Sequence, residues 1–346
     1  MDADFFRKLP KVELHAHING SISVSTMSQL VAGMSTSYNP DSLKFKKGET
    51  GTLKEVFKLF RQIHDVINNE KAVYKVTYDV IHEFAEENVK YIELRTTPRE
   101  EPSTGMTTIS YVETVLRAID DCAKENLDII VKLLLAVDRR QSLQVAMDTV
   151  QLAVKYREKS NGVIVGIDLS GDPKVGNADI FIPAFKEAQK HGLKLALHLA
   201  EVPAPEETIT LLREIIPDRI GHGTCLQPDA GGTKDIVEFV ESHRIPLELC
   251  LSSNIINMTV PGYDNHHFKF WYDLEHPCII CTDDKGVFST SITEEYSIAA
   301  DTFQLSSDQV WQLSYNSIDS IFSDETTKQL LREKWKTLKE NLLLKS

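Results

Sequence analysis

The sequence predicts an α/β fold, a (β/α)₈ TIM barrel with additional helices, built as one domain over residues 1–346. Three observations carry that expectation. Eight short apolar runs recur along the chain, helical patterns separate most of them, and polar residues with chemical capacity gather where the runs end. Regular strand-then-helix alternation makes parallel strands, and eight such units close a barrel.

The first run covers 11–19, where Val12, Leu14, Ala16 and Ile18 alternate with Glu13, His15, His17 and Asn19. That is the period of two of a strand. Residues 25–34 read as a short helix, and the polar stretch 35–52, with Asn39-Pro40 and two glycines, as a long loop or lid. Leu53, Val56, Phe57, Phe60, Ile63 and Ile67 mark an amphipathic helix, and 72–87 marks another. Strands follow at 89–94, 129–137, 163–169, 193–199, 219–221, 246–251 and 278–281. Helical patterns at 109–124, 143–158, 180–191, 206–215, 233–243 and 267–274 lie between them, and the tail 292–345 is helical. A doubly wound open sheet would advertise a glycine-rich phosphate turn after its first strand; here that strand ends in histidines.

Composition excludes several classes. At 42% hydrophobic and 26% charged residues the chain can bury a large core. No apolar run reaches membrane-spanning length, and the opening Met1-Asp-Ala-Asp-Phe-Phe-Arg lacks the pattern of a secretion signal. Five scattered cysteines suit reduced thiols, so the expected location is cytoplasmic. A formal charge of −13 argues against polymeric DNA or RNA as a partner.

The alternation in the first strand puts His15 and His17 on one face, where two imidazoles can converge on one metal ion. Taken alone, such a pair is more often a polar strand face than a metal site. The other strand ends supply possible partners: Arg95–Arg99, Asp138-Arg-Arg, Asp168-Leu-Ser-Gly171, His198-Leu-Ala-Glu201, His222, Ser252-Ser-Asn254 and Asp283-Asp284. Barrels carry their active groups at this rim.

His15-x-His17, His198-x-x-Glu201, Arg219-Ile-Gly-His-Gly223 and Thr282-Asp-Asp284, in this order, resemble the adenosine deaminase family of the amidohydrolase superfamily. Leu-His-Ala-His-Ile-Asn-Gly-Ser, Glu-Leu-Arg-Thr-Thr-Pro-Arg and Leu-Ala-Val-Asp-Arg-Arg look like its adenosine deaminase-like branch, the N6-methyl-AMP deaminases. The resemblance implies one zinc ion per chain held by His15, His17, His198 and Asp283, a donor set that suits zinc and leaves room for water. It implies hydrolysis at purine C6, with Glu201 protonating N1 and His222 taking the water's proton or orienting the water. Asp284 would meet N7, protonated or facing a protonated ring, and the Gly171 backbone would meet N3. Where the family often has glycine before the catalytic glutamate, this chain has Ala200, which is expected to narrow the space around the C6 substituent.

Adenosine deaminases proper usually carry Asp at the position of Asn19, near the ribose 5′ end. Asn removes a charge that would repel a 5′-phosphate. Thr96, Thr97, Pro98 and Arg99 offer a phosphate grip, and the resemblance adds His64 and Asp138 to the substrate contacts, with His17 and His198 also facing the substrate. The expected partner is a small purine nucleoside monophosphate bound by a monomer, and the expected reaction is N6-methyl-AMP plus water to IMP and methylamine. Alternatives are action on adenosine or AMP, and an inactive purine-nucleotide-binding barrel. Pro277-Cys-Ile-Ile-Cys281 matches half of a cytidine-deaminase zinc motif, but the upstream half is absent and both thiols are expected in the core. A second metal would want a bridging lysine at the fourth strand, where the chain has Asp168 instead.

Overall fold

The computed structural model describes residues 1–32 and 38–343. The expected helix end at 34, the first residues of the 35–52 stretch and the end of the tail at 345 lie outside them. Eight strands form one sheet in chain order: β1 (Lys11–His17), β2 (Val89–Thr96), β3 (Ile130–Asp138), β4 (Ile164–Ser170), β5 (Lys194–Leu199), β6 (Arg219–His222), β7 (Leu247–Leu249) and β8 (Cys278–Ile280). All neighbours pair in parallel. The sheet closes just past β8, where Ala16 bridges Asp283. There the His17 N–H donates to the Asp283 carbonyl at 3.0 Å and the Asp283 N–H to the His15 carbonyl at 2.8 Å.

Local chemistry starts the connecting helices. Thr52 and Thr107 head Leu53–Val66 and Thr108–Lys124 with reciprocal capping boxes, and Ser142 and Thr233 cap Leu143–Lys159 and Lys234–Ser242. Side chains capping the first free N–H groups remove donors that would otherwise be left unpaired.

Three parts differ from the sequence expectation. A short helix, Ala3–Lys8, precedes β1, capped by the Asp2 carboxylate accepting from the Phe5 N–H. The seventh strand is only three residues long, and Ser252-Ser-Asn254 sits on a following helix, Leu251–Ile256. The tail divides into Ile292–Phe303, Ser307–Asn316 and Glu325–Leu343, the first ending at Gln304 in the left-handed region with φ 55°.

Both faces of the strands are covered, which is why β1 is buried along its length except for half-buried His17. Inside, Phe322 packs against Leu134, Val165 and Ala196. The Arg219 guanidinium lies 3.5 Å from the centre of the Phe322 ring. Toward the rim the filling becomes ionic. Arg219 donates to Glu93 at 2.5 Å and to Glu248 at 2.6 Å, and Arg95 donates to Glu248 at 2.8 Å and to Asp168 at 3.0 Å. All five side chains are fully buried, so each charge depends on the others. Cys278 and Cys281 are core residues, and all five cysteines are buried and unpaired. Among the described residues no helix is long and apolar enough to cross a membrane.

Candidate active site

The ionic layer supports the histidines above it. His15 Nδ1 lies 2.7 Å from Glu248, and His198 Nδ1 lies 2.9 Å from Asp168. A carboxylate only accepts, so each ring carries its proton on Nδ1 and turns Nε2 toward the rim. There His15 Nε2 is 3.4 Å and His17 Nε2 3.3 Å from Asp283 Oδ1, and His17 Nε2 is 3.2 Å from His198 Nε2. His222 Nε2 stands 3.8 Å from Asp283 Oδ2. Ligand atoms of His15, His198, His222 and Asp283 lie within 4.8 Å of one another, and those of His17, Asp283 and Asp284 do the same.

The electrostatics match a cation centre. His15 Nε2 is buried without a hydrogen-bond partner. Burial and Arg95 push this imidazole's pKa down, yet the Asp283 and Glu248 carboxylates beside its two nitrogens outweigh them and carry it up to about 9. Two carboxylates thus create a demand for positive charge at Nε2, which a proton or a metal ion answers. Burial holds His198 down at about 4 and His222 well below its usual value, so both rings are neutral.

Glu201 follows β5 into the pocket. Burial, then repulsion from Asp283, raises its pKa to about 8. Burial and the carboxylates of Asp283 and Glu201 raise Asp284 far above the carboxylate range, which favours its protonated form. Its Oδ1 is buried and unpartnered. A Cβ at Gly20 would fall 1.6 Å from that oxygen, so only glycine lets Asp284 take this place. Gly171, at φ 95°, packs its backbone against Asp138. Ala200 has φ 52° and does not line the pocket. Its departure from glycine therefore acts on the backbone, at a cost of about 1 kcal/mol, and not on the room around C6.

The pocket above these groups has a volume of about 460 Å³. His17, His198, His222, Glu201, Asp283 and Asp284 line one part of it, and Gly171 and Asp138 lie beside them. Asn19, His64, Thr96, Thr97, Pro98 and Arg99 line it too, whereas His15 sits behind the surface. Asn19 Nδ2 donates to His64 Nε2 at 3.4 Å. Burial, with Arg99 and Arg140 nearby, holds His64 down at about 3. Arg99 donates to the Ile67 carbonyl and lies over the Tyr111 ring, while its Nη1 is buried and unpartnered. The Thr96 hydroxyl bonds Tyr111 Oη at 2.6 Å, so it braces the ring beneath Arg99.

Sequence reasoning placed Asp138-Arg-Arg at the rim but gave Arg140 no role. It lines the pocket and is held by Asp138 at 2.8 Å and 2.5 Å, whereas Arg139 turns away to Glu207. Nothing local distinguishes two adjacent arginines at a strand end. Glu248, Asp168 and Arg95 were also invisible as supports, because their partners are distant in sequence. Of the expected long loop or lid, the described residues 38–52 lie beside the pocket and do not line it. The pocket is roofed by Leu53, Val56, Phe57, Phe60 and His64 of helix Leu53–Val66. Residues 38–52 are pinned to the body by Phe45 N–H to the Val287 carbonyl at 2.7 Å and Gly51 N–H to the Ile256 carbonyl at 2.9 Å.

Comparison with known proteins gives a consistent result. The family model described as adenosine deaminase matches residues 10–338. The human N6-methyl-AMP deaminase is 51% identical over 341 residues, covering 98% of this chain and 96% of its own length. A crystal structure of the Arabidopsis N6-mAMP deaminase superposes with a TM-score of 0.88 at 39% identity, covering 96% of this chain and 99% of that one. An Arabidopsis ADAL structure complexed with IMP gives the same score and identity, covering 96% and 98%.

Proposed function

The chain belongs to the adenosine deaminase family, and from that premise we propose that it hydrolyses N6-methyl-AMP to IMP and methylamine. The observation that carries this reading is the polarity of the pocket. Glu201 and neutral Asp284 stand by the histidine centre, while Arg99, Arg140 and His64 with uncharged Asn19 form a corner for a 5′-phosphate. The relatives with bound nucleotides agree with it: Arabidopsis ADAL was crystallised with IMP and with GMP.

His15, His17, His198 and Asp283 would hold one zinc ion, as the orphaned His15 Nε2 and the carboxylate-backed imidazoles fit it. When bound, zinc lowers the pKa of water to about 7 and so supplies the nucleophile at neutral pH. The remaining work falls to the chain. Glu201 gives its proton to N1 as C6 is attacked, because the ring can accept the electron pair only as N1 is protonated. Protonated Asp284 donates to N7, and the Gly171 N–H meets N3. These contacts hold C6 at the histidine centre while the roof helix excludes water. The C6–N6 bond then breaks as the adduct's hydroxyl proton moves to the departing nitrogen, leaving a C6 carbonyl and free methylamine, and the proton the water gave up restores Glu201.

Residues 1–346 act as one domain, since the apolar core runs from Phe5 to Trp335. Five unpaired buried thiols fit a cytoplasmic setting. The test is kcat/KM for N6-methyl-AMP, AMP and adenosine, expected to fall in that order, with Arg99→Ala raising KM for both monophosphates. Faster turnover of adenosine, or unchanged KM in Arg99→Ala, overturns the nucleotide assignment.

A further inference from the structure

The far nitrogens of three imidazoles at the rim meet partners of opposite polarity. His15 and His198 Nδ1 face carboxylate oxygens, whereas His222 Nδ1 faces the amide nitrogen of Asn254 at 3.3 Å. The direction of that amide is dictated from further away. The Phe268 backbone N–H donates to His266 Nδ1 at 3.1 Å, so this neutral ring bears its proton on Nε2. Burial, with His267 and His222 close by, keeps His266 uncharged. Its Nε2–H donates to Asn254 Oδ1 at 3.0 Å, which leaves Nδ2 facing the other way. Nδ2 then faces Thr259 Oγ1 at 3.2 Å, His222 Nδ1 at 3.3 Å and Thr224 Oγ1 at 3.4 Å, and its two protons go to the two nearer acceptors. The Thr259 hydroxyl proton is itself committed to the Asn254 carbonyl at 3.2 Å, so Thr259 accepts from the side chain.

We infer that Asn254 and His266 are positioning residues that hold His222 as its Nε2–H tautomer, a donor to the attacking water and not a metal ligand. This deepens the deaminase reading and rests on it. Distance alone does not separate His222 from the ligands, because its ligand atom lies within 4.8 Å of those of His15, His198 and Asp283. Polarity does. A protonated Nε2 has no lone pair for a cation and none for the water's proton, so that proton passes to an oxygen of Asp283. His222 fixes the direction of attack by donating. The short seventh strand serves the same end, since turning into helix Leu251–Ile256 aims Asn254 at His222 and lets Ser253 donate to Asp283 at 2.7 Å.

The test uses the zinc-loaded chain with ¹⁵N-labelled histidine, the His222 signals being assigned by their loss in His222→Asn. The expected spectrum shows a protonated His222 Nε2 and an unprotonated Nδ1. Asn254→Asp, equal in shape but accepting only, should move the proton to Nδ1 and lower kcat by between about 10²- and 10⁴-fold, the range lost when a catalytic imidazole is misprotonated. KM for N6-methyl-AMP should stay within about threefold. His266→Gln keeps a donor and should retain more activity than His266→Ala. A wild-type His222 protonated on Nδ1, or bound to zinc through Nε2, overturns the inference even where no variant folds. So does wild-type kcat in Asn254→Asp. Absence of turnover in the wild type would instead overturn the deaminase reading, while the tautomer measurement still decides this one.

Discussion

Glu201 has two properties that the chemistry requires together: it is buried against the reacting position, and it holds its proton. Its pKa of about 8 comes first from burial and second from the Asp283 carboxylate. A cation at Asp283 relieves the second cause and leaves the first, so the alkaline limit of the enzyme is expected no higher than about 8. The sign follows from the role. The protonated form is the active one in this role, so activity is flat below that limit and kcat/KM for N6-methyl-AMP falls about tenfold per pH unit above it. Glu201→Gln keeps the shape but has no proton to give, so turnover should drop by about 10²- to 10⁴-fold with zinc content and IMP binding retained. A rate that stays level to high pH would take Glu201 out of the acid's role. Asp284 is raised by the same burial and by its neighbours, and its use is different. In the proposed reaction it gives up no proton and would read N7 as a donor, which only a neutral carboxyl can do.

The element that decides access is helix Leu53–Val66. One of its faces, carrying Val56, Phe57, Phe60 and His64 at helical spacing, forms the roof of the pocket. Its start is defined by Thr52, whose hydroxyl accepts from the Glu55 N–H at 3.3 Å while the Glu55 carboxylate accepts from the Thr52 N–H at 2.7 Å. Removing such a cap costs about 1 kcal/mol, and at this end the loss falls beside Leu53 and Val56. Thr52→Ala should therefore raise KM for N6-methyl-AMP by up to about fivefold with kcat largely kept, and Thr52→Ser should restore it. An unchanged KM in steady-state kinetics would mean that the roof does not depend on its first turn. The amphipathic pattern of this helix was readable from sequence, but which residues faced the core and which faced a ligand was not, because both need apolar side chains on one stripe. Arg139 and Arg140 pose the same difficulty in two adjacent positions.

At the scale of the molecule, what was legible is what is local or what must sit at a strand end. Each strand announced itself by its own apolar run, and His15, His17, His198, Glu201, His222 and Asp283 stood out because a polar group ending a buried strand needs a reason. The pairings that hold those groups, Glu248 with His15, Asp168 with His198 and Arg219 with Glu93, depend on the register of a closed sheet and leave no local trace. Closure itself falls at the site. β1 meets the chain after β8 through the backbones of His15, His17 and Asp283, the residues proposed to grip the cation, and Glu13 accepts from the Thr282 N–H at 3.0 Å one step below. A bound metal therefore ties the first strand to the last and binds only the closed barrel, so it stabilises by mass action. With free zinc about a thousandfold above its Kd that contribution is about 4 kcal/mol. A chain of 346 residues has an unfolding entropy of about 2.1 cal/mol/K per residue, so chelation should lower Tm by about 6 °C. Calorimetry before and after chelation, then with zinc restored, measures it. Asp283→Asn, which keeps the backbone bridge but weakens the grip, should melt near the chelated value and respond little to chelator. If chelation ends turnover while Tm stays fixed, the metal does not bridge the closing strands, and the ligand set must be redrawn away from that seam.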